Sequence, residues 1–165
     1  LEPYIQNPNR NVVRMLLKTL AYEHQDDLLP AKWEIEHIFP QKWQTNYFPD
    51  EPDATIKEKI EHIGNKLPFE KKLNIVAGNG YFGKKKKEYI ASKIVITKAM
   101  GTSDVMDWNL ESITKRDIRV SDEVVKIMNR WNNEYLNTPV SECKAGEPSE
   151  EELAQIEKFK KNGWI

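Results

Sequence analysis

Hydrophobic side chains recur at helical spacing near the start of the chain and again toward its end. Over residues 10–24 they return every three or four positions, which predicts an amphipathic helix that packs by one face: Val13, Leu16, Leu17, Leu20 and Ala21. Toward the end, a broad apolar stripe covers 122–136. Asn109 and Ser121 are typical helix N-caps, so we expect two helices here, over 110–117 and 122–136.

The middle of the chain follows a different pattern. Residues 32–39 alternate between polar and apolar side chains, which predicts a strand that stops before Pro40. A short helix to about residue 62, a turn at Gly64-Asn65 and a second strand over 66–73 follow, and 83–98 is typical of one longer helix. The pattern predicts an α+β fold, with a small strand–strand–helix core at about 32–98 embedded in a mostly helical domain.

A polar stretch separates this domain from the C-terminus. Residues 137–148 have the composition of a linker, and Ser149 with Glu152 forms a capping box that predicts a terminal helix over 150–162. We therefore expect one domain over 1–136, including C-terminal helices over 109–136, followed by a linker and helix over 137–165.

Composition narrows the class of protein. The chain has 165 residues, of which 39% are hydrophobic and 31% charged, as in a soluble globular domain. No apolar run approaches the roughly 20 residues of a membrane span, so no membrane partner is expected. Cys143 is the single cysteine, which excludes an internal disulfide and favours a reducing, cytoplasmic setting. Because the chain starts at Leu1, we expect it to be part of a longer protein.

Charge is distributed unevenly along the chain. The net charge is −1, but residues 54–98 hold eleven lysines against four glutamates, a net charge of +7, between acidic flanks. Such a segment favours a phosphate-binding face. The alternative is that these lysines solvate exposed helix faces. Four of them are consecutive, Lys84–Lys87, at the predicted start of a helix, where a bound phosphate would relieve their repulsion by the helix dipole.

Candidate chemistry centres on Glu36-His37 at the end of the first predicted strand. Histidine is suited to take a proton from water, and carboxylate and amide oxygens are suited to hold a hard cation. Asn65 and Asn74 follow within forty residues and supply the amides. Each residue also has a simpler interpretation: a surface pair for Glu36-His37, a turn-stabilising side chain for Asn65, and a buried hydrogen-bond partner for Asn74.

These residues together resemble the HNH endonucleases, also called His-Me finger or ββα-metal nucleases. The resemblance rests on Glu36-His37-Ile38-x-Pro40-Gln41, Asn65-Lys66 and Asn74. The chain looks closer still to the C-terminal nuclease domain of GmrSD-type modification-dependent restriction enzymes, over about residues 10–136. The further matches are Ile63-Gly64, Gly78-Asn79, Phe82, Lys84-Lys85, Tyr89, Ser92, Trp108, Ile113 and Arg116.

The resemblance implies a role for each matching residue. His37 would be the general base and Asn65 its support, while Glu36 and Asn74 would hold one divalent cation, Mg²⁺ or another such as Mn²⁺. A phosphate-binding side would consist of Asn79, Lys84, Lys85 and Arg116, although Arg116 is equally suited to a structural ion pair. In two respects the chain departs from the family pattern. Glu36 stands where many members have aspartate, and Pro68, which lacks an N–H, requires its strand to be an edge or to be short.

The resemblance also implies partners. DNA would be the substrate, in defence of a bacterium against phage or foreign DNA, and an N-terminal nucleotide-hydrolysing regulatory domain would lie outside this chain. Two other classes stay open on the residues alone. One is a catalytically silent nucleic-acid-binding module, and the other is a helical domain that docks on a partner protein.

Overall fold

A computed structural model describes residues 9–44 and 51–137, together with Glu150, Leu153, Ala154 and Glu157. The chain divides into two compact units, Leu1–Ile127 and Met128–Ile165. The hairpin, the apolar cores and the cleft described below all belong to the first unit. The predicted linker beyond Asn137 and most of the predicted terminal helix lie outside the described residues, and the four described residues beyond the gap are helical.

The described residues form a mostly helical α+β fold around one small sheet, which confirms the predicted class. The elements in chain order are α1 (Arg10–His24), β1 (Trp33–His37), α2 (Asp53–Ile60), a 3₁₀-helix (Ile63–Asn65), β2 (Lys66–Glu70), α3 (Lys71–Ala77), α4 (Phe82–Ile90), α5 (Val95–Thr102) and α6 (Leu110–Asn137). In the described part of the chain no helix is both long and apolar enough to span a membrane.

The sheet is an antiparallel pair in which Trp33 lies opposite Glu70 and His37 lies opposite Lys66. In the described residues the sheet consists of β1 and β2 alone, so both are edge strands. An edge strand accommodates Pro68, which lacks an N–H, as predicted. Helix α3 begins directly after β2. β1, β2 and α3 therefore form a compact strand–strand–helix unit.

Two apolar cores hold the first unit together. The first lies beneath the hairpin and contains Ile38, Phe39, Ile56, Ile60, Leu67, Phe69, Ala77, Phe82, Tyr89, Trp108 and Ile113. The second joins α1 to α6 and contains Val13, Leu16, Leu17, Leu20, Ile63, Val120, Val124 and Ile127. The α1 residues buried are those whose spacing predicted that helix, and α1 has the predicted bounds.

Four predicted elements differ from the observed ones: the second strand, the two C-terminal helices and the helix over 83–98. The second strand ends at Glu70 rather than residue 73, so Asn74 lies on helix α3 and not on a strand. The two predicted C-terminal helices are one helix, α6, because its buried stripe continues past Ser121 through Val124 and Ile127 without interruption.

The predicted helix over 83–98 is divided into α4 and α5. The cause is Ser92, whose hydroxyl accepts a hydrogen bond from the Ile94 amide at 3.0 Å and donates to Glu70 at 2.8 Å. Glu70 also accepts from the Lys93 amide at 2.6 Å. The side chains of Glu70 and Ser92 thus accept hydrogen bonds from backbone N–H groups that would otherwise bond within a continuous helix. Gly101 then lets α5 approach α4, since a Cβ there would lie 2.6 Å from the Ile90 nitrogen.

Candidate active site

A polar cleft of about 220 Å³ opens at the end of β1, beside α3 and the start of α4. Its lining residues are Ile35, Glu36, His37, Gln41, Asn74, Gly78, Asn79 and Lys85. Five of the eight site residues that the sequence predicted are therefore brought together here. Asn65, Lys84 and Arg116 do not line the cleft.

Glu36 is a buried carboxylate with one oxygen engaged and one oxygen free. Its Oε1 accepts a hydrogen bond from the Tyr89 hydroxyl at 2.8 Å and lies 2.7 Å from the Lys85 ammonium. Its Oε2 makes no hydrogen bond with the described residues and is not enclosed. Burial, with Glu36 adding to it, raises the pKa of Tyr89 far above its usual range, so the phenol remains a neutral donor.

His37 ends β1 with its ring 16% exposed at the cleft. The two ring nitrogens have different surroundings. Nε2 lies 3.4 and 3.5 Å from the two carboxylate oxygens of Glu61. Nδ1 makes no hydrogen bond with the described residues and is not enclosed. The ring thus has one anchored nitrogen and one that is open to a ligand or water.

Asn65 is fully buried and holds the segment that follows His37. Its Oδ1 accepts from the Phe39 amide at 2.7 Å, and its Nδ2 donates to the carbonyls of Phe39 at 3.1 Å and Ile60 at 3.0 Å. The Asn65 carbonyl also accepts from the Ile38 amide at 2.8 Å. This side chain cannot contact a substrate directly, and it fixes the backbone on which His37 sits.

Asn74 lies on helix α3, lines the cleft and is partly exposed. Its side-chain amide makes no hydrogen bond with any described residue. The cleft therefore holds two uncommitted oxygens, Glu36 Oε2 and Asn74 Oδ1, of the type that Mg²⁺ prefers. The described part of the chain contains no cluster of three or more His, Cys, Asp or Glu side chains placed for a metal. The donor set fits a cation that takes its other ligands from water and phosphate.

Asn79 was predicted to bind phosphate, but its side-chain amide is hydrogen-bonded to the backbone of Lys42 instead. Its Oδ1 accepts from the Lys42 amide at 3.1 Å, and its Nδ2 donates to the Lys42 carbonyl at 2.7 Å. This pairing ties the loop between α3 and α4 to the segment after Pro40 and so shapes one wall of the cleft.

The predicted phosphate-binding role of Lys85 is wrong, because its side chain is 1% exposed. The Lys85 ammonium donates to the His37 carbonyl at 2.5 Å and pairs with Glu36. Burial lowers the pKa of Lys85, and Glu36 partly opposes that shift. Lys85 is the internal counter-ion that allows the Glu36 carboxylate to lie under the cleft.

The rest of the lysine run is divided between structural and exposed side chains. Lys86 donates to the carbonyls of Ser103 at 2.6 Å and Val105 at 2.8 Å and so holds the loop after α5. Lys84 and Lys87 are exposed. Only these two of the four lysines have ammonium groups in a position to meet an outside phosphate, and the role of Lys84 remains a prediction.

The predicted phosphate-binding role of Arg116 is also wrong, because its side chain is buried and has a structural role. Its Nη1 donates to the carbonyls of Ile63, Gly64 and Lys66 at 3.2, 2.9 and 2.8 Å. Burial lowers the pKa of Arg116 to about 10, which still leaves the guanidinium charged at neutral pH. Helix α6 thereby holds the turn that carries Asn65.

Sequence reasoning missed Glu61, Lys66 and Tyr89 as neighbours of the site. Lys66 and Tyr89 had a usable signal, because one directly follows the Asn65 turn and the other matches the family pattern. Glu61 had none beyond its position just before that turn. Its role depends on which residues the hairpin brings opposite the end of β1.

The fold and cleft define the class: a mostly helical α+β domain whose polar site lies where a β-hairpin meets the helix that follows it. The chain belongs to the family of the C-terminal domains of GmrSD restriction endonucleases, whose sequence profile matches residues 2–120. Comparison with curated proteins and with solved structures gives no match. Membership in this family implies a nuclease domain that acts on DNA.

Proposed function

We propose that this chain is a metal-dependent endonuclease domain of the HNH type that hydrolyses phosphodiester bonds of foreign DNA in the bacterial cytoplasm. The observation that carries the proposal is the convergence of three uncommitted groups on one cleft: Nδ1 of His37, Oε2 of Glu36 and the amide of Asn74. A base and two oxygen ligands are the side chains that a one-metal hydrolysis of phosphate requires.

Each group has a defined task in this reaction. His37 accepts a proton from the attacking water through Nδ1, and Glu36 and Asn74 would hold a divalent cation, Mg²⁺ or Mn²⁺. When bound, that cation supplies positive charge to the scissile phosphate and the leaving oxygen. Asn65 and Asn79 keep the backbone around His37 in place, so the base does not have to be ordered when DNA binds.

Control of the domain is also part of the proposal. An N-terminal nucleotide-hydrolysing domain, outside this chain, would select modified DNA and deliver it to the cleft.

One observation favours a second function, a silent nucleic-acid-binding module. Glu36 Oε1 is already engaged by Lys85 and Tyr89, and a carboxylate paired in this way binds a cation less readily. The two functions differ in metal affinity and in cleavage. The partner-docking alternative is not favoured, because His37 lies at a polar cleft and not in an apolar contact surface.

Metal dependence is the direct test of the proposed function. Wild-type protein is expected to nick supercoiled plasmid in Mg²⁺ or Mn²⁺ and to be inactive in EDTA. Asn74→Ala is expected to raise the Mg²⁺ concentration for half-maximal cleavage by at least about 10-fold, because one of few protein ligands is lost. Cleavage is measured by gel over a Mg²⁺ series.

Asn129→Ala, an exposed asparagine on α6, is the matched control and should behave as wild type. Cleavage that persists in EDTA would exclude a metal-dependent mechanism. Absence of cleavage in either metal, from a preparation that binds DNA, would favour the silent module.

Binding of the DNA backbone is expected to involve Lys84. Lys84→Ala should weaken binding to a similar extent for unrelated DNA sequences and should reduce the slope of log K against log salt by about one, as expected when one phosphate contact is lost. Affinity is measured in EDTA over a salt series. Lys126→Ala, an exposed lysine on α6, is the control. Equal slopes for Lys84→Ala and wild type would mean that Lys84 only solvates its helix.

A further inference from the structure

The Glu61 carboxylate lies against the imidazole of His37. The His37 Nε2 is 3.4 Å from Glu61 Oε1 and 3.5 Å from Oε2, which is a long hydrogen bond. Such bonds in catalytic sites without substrate are often long and tighten when substrate is bound. Glu61 reaches the side of the ring away from the free Nδ1, so its contact with His37 leaves that nitrogen available.

Lys66 holds Glu61 in this place. Lys66 is the cross-strand partner of His37 in the hairpin, and its ammonium donates to Glu61 Oε2 at 2.8 Å and to the Glu61 carbonyl at 2.5 Å. Gln41, which lines the cleft, donates to Oε1 at 3.4 Å. The hydrogen bond to His37, together with Lys66, keeps the pKa of Glu61 well below its usual range despite partial burial. The carboxylate is therefore ionised throughout the neutral range.

The backbone that carries Glu61 has little freedom. Gly64, three residues on, packs so closely on α6 that a Cβ there would lie 2.2 Å from the Ile113 carbonyl oxygen. Asp117 accepts from the Gly64 amide at 2.6 Å and pairs with His62 Nδ1 at 2.7 Å. This rigid turn therefore places two groups at the end of β1. The Asn65 side-chain amide contacts the backbone that follows His37, and the Glu61 carboxylate contacts the His37 ring.

An ionised carboxylate can only accept hydrogen bonds, so His37 Nε2 must carry the hydrogen in this contact. In the neutral ring the lone pair then lies on Nδ1, the nitrogen without a partner. The geometry points to Glu61 as a positioning residue that fixes the orientation and tautomer of His37, with Lys66 holding Glu61 in turn. This inference rests on the proposed function for the role of His37 as the base.

The tautomer of His37 is tested in protein without DNA or metal. ¹⁵N-edited NMR of the histidine rings, at a pH about two units above the ordinary histidine pKa, reports which nitrogen carries the hydrogen. His37→Ala identifies the His37 signals. We expect wild type to be predominantly in the Nε2–H form and Glu61→Ala to show a mixture. Glu61→Gln keeps an acceptor oxygen, so it should retain most of the wild-type pattern.

Cleavage kinetics give the second readout. Glu61→Ala should lower kcat by about 10- to 100-fold, as outer residues that orient an active-site group commonly do, with KM for DNA within about threefold of wild type because no DNA contact is removed. Glu61→Gln should recover part of the loss. Glu58→Gln, an exposed glutamate on the preceding helix α2, is the matched control and should change neither readout.

The outcomes separate this inference from the proposed function. A tautomer shift in Glu61→Ala supports the positioning role even if wild type proves unable to cut DNA, which would overturn the proposed function alone. An unchanged tautomer in folded Glu61→Ala, with kcat within threefold of a cleaving wild type, overturns the positioning role and leaves the nuclease intact. If Glu61→Ala does not fold, Glu61→Gln and wild type decide: a lower kcat with unchanged KM in folded Glu61→Gln supports the positioning role, and a wild-type His37 ring predominantly in the Nδ1–H form would refute it.

Discussion

Replacement of His37 by alanine is expected to reduce DNA cleavage by about 10²- to 10⁴-fold, the usual loss when a positioned general base is removed. The methyl group of alanine cannot take a proton from water. Because the ring is partly exposed and contributes little to either apolar core, the fold should be retained. Single-turnover cleavage of a labelled duplex at saturating protein measures the effect on chemistry alone.

His24→Ala is the matched control for this variant. His24 also pairs with a carboxylate, Glu123 at 2.5 Å, but it lies at the end of α1 and does not line the cleft. Its replacement should leave the rate within about twofold, since a surface pair of this kind contributes little. DNA affinity of His37→Ala should equal that of wild type. Cleavage by pure His37→Ala within threefold of wild type would remove His37 from the mechanism.

The second large effect is expected on stability, at Lys85. Lys85→Met keeps most of the apolar side chain and removes the ammonium that faces the buried Glu36 carboxylate. Loss of one partner from a buried ion pair costs about 3–5 kcal/mol, because the remaining charge is uncompensated. Here the His37 carbonyl also loses a donor. Urea unfolding followed by circular dichroism measures the change in the free energy of unfolding.

A double variant distinguishes this explanation from a simple packing defect. Glu36→Gln keeps an acceptor for the Tyr89 hydroxyl without a charge, so Glu36→Gln/Lys85→Met should recover a large part of the stability lost in Lys85→Met alone. The double variant should be inactive in cleavage, since the carboxylate of the proposed metal ligand Glu36 is gone. Lys84→Met, the exposed neighbour, should change stability by no more than about 0.5 kcal/mol. Equal stability of Lys84→Met and Lys85→Met would mean that the buried ion pair of Lys85 with Glu36 does not stabilise the fold.

Residues with a local and periodic signal were placed correctly from the sequence. The spacing of Leu16, Leu17 and Leu20 specified both the existence and the buried face of α1, because a helix repeats its environment every three to four residues. The turn at Gly64-Asn65 was equally local. The boundary between β2 and α3 and the break between α4 and α5 were missed. The break depends on hydrogen bonds between Ser92 and Glu70, which are 22 residues apart.

Three of the predicted site residues, the proposed base and metal ligands, lie together at one cleft, and two of the predicted phosphate contacts are buried. Glu36, His37 and Asn74 were named together because a family pattern and simple metal chemistry both require them, and the structure brings them to one cleft. Lys85 and Arg116 were assigned to phosphate because a positive charge in a sequence carries no information about its depth. In the fold each cation is needed inside, one for a carboxylate and one for three carbonyls.

The sequence by itself determined the class of fold, the helical faces that are buried and the candidate residues for the proposed hydrolysis, since all three follow from side-chain chemistry and short-range spacing. Only the tertiary structure decided which charged groups face solvent and which face each other. Glu61 illustrates the difference: its contact with His37 spans 24 residues and exists because the hairpin register places Lys66 opposite His37. Long-range electrostatic partners are set by packing, and the local pattern of a chain does not encode them.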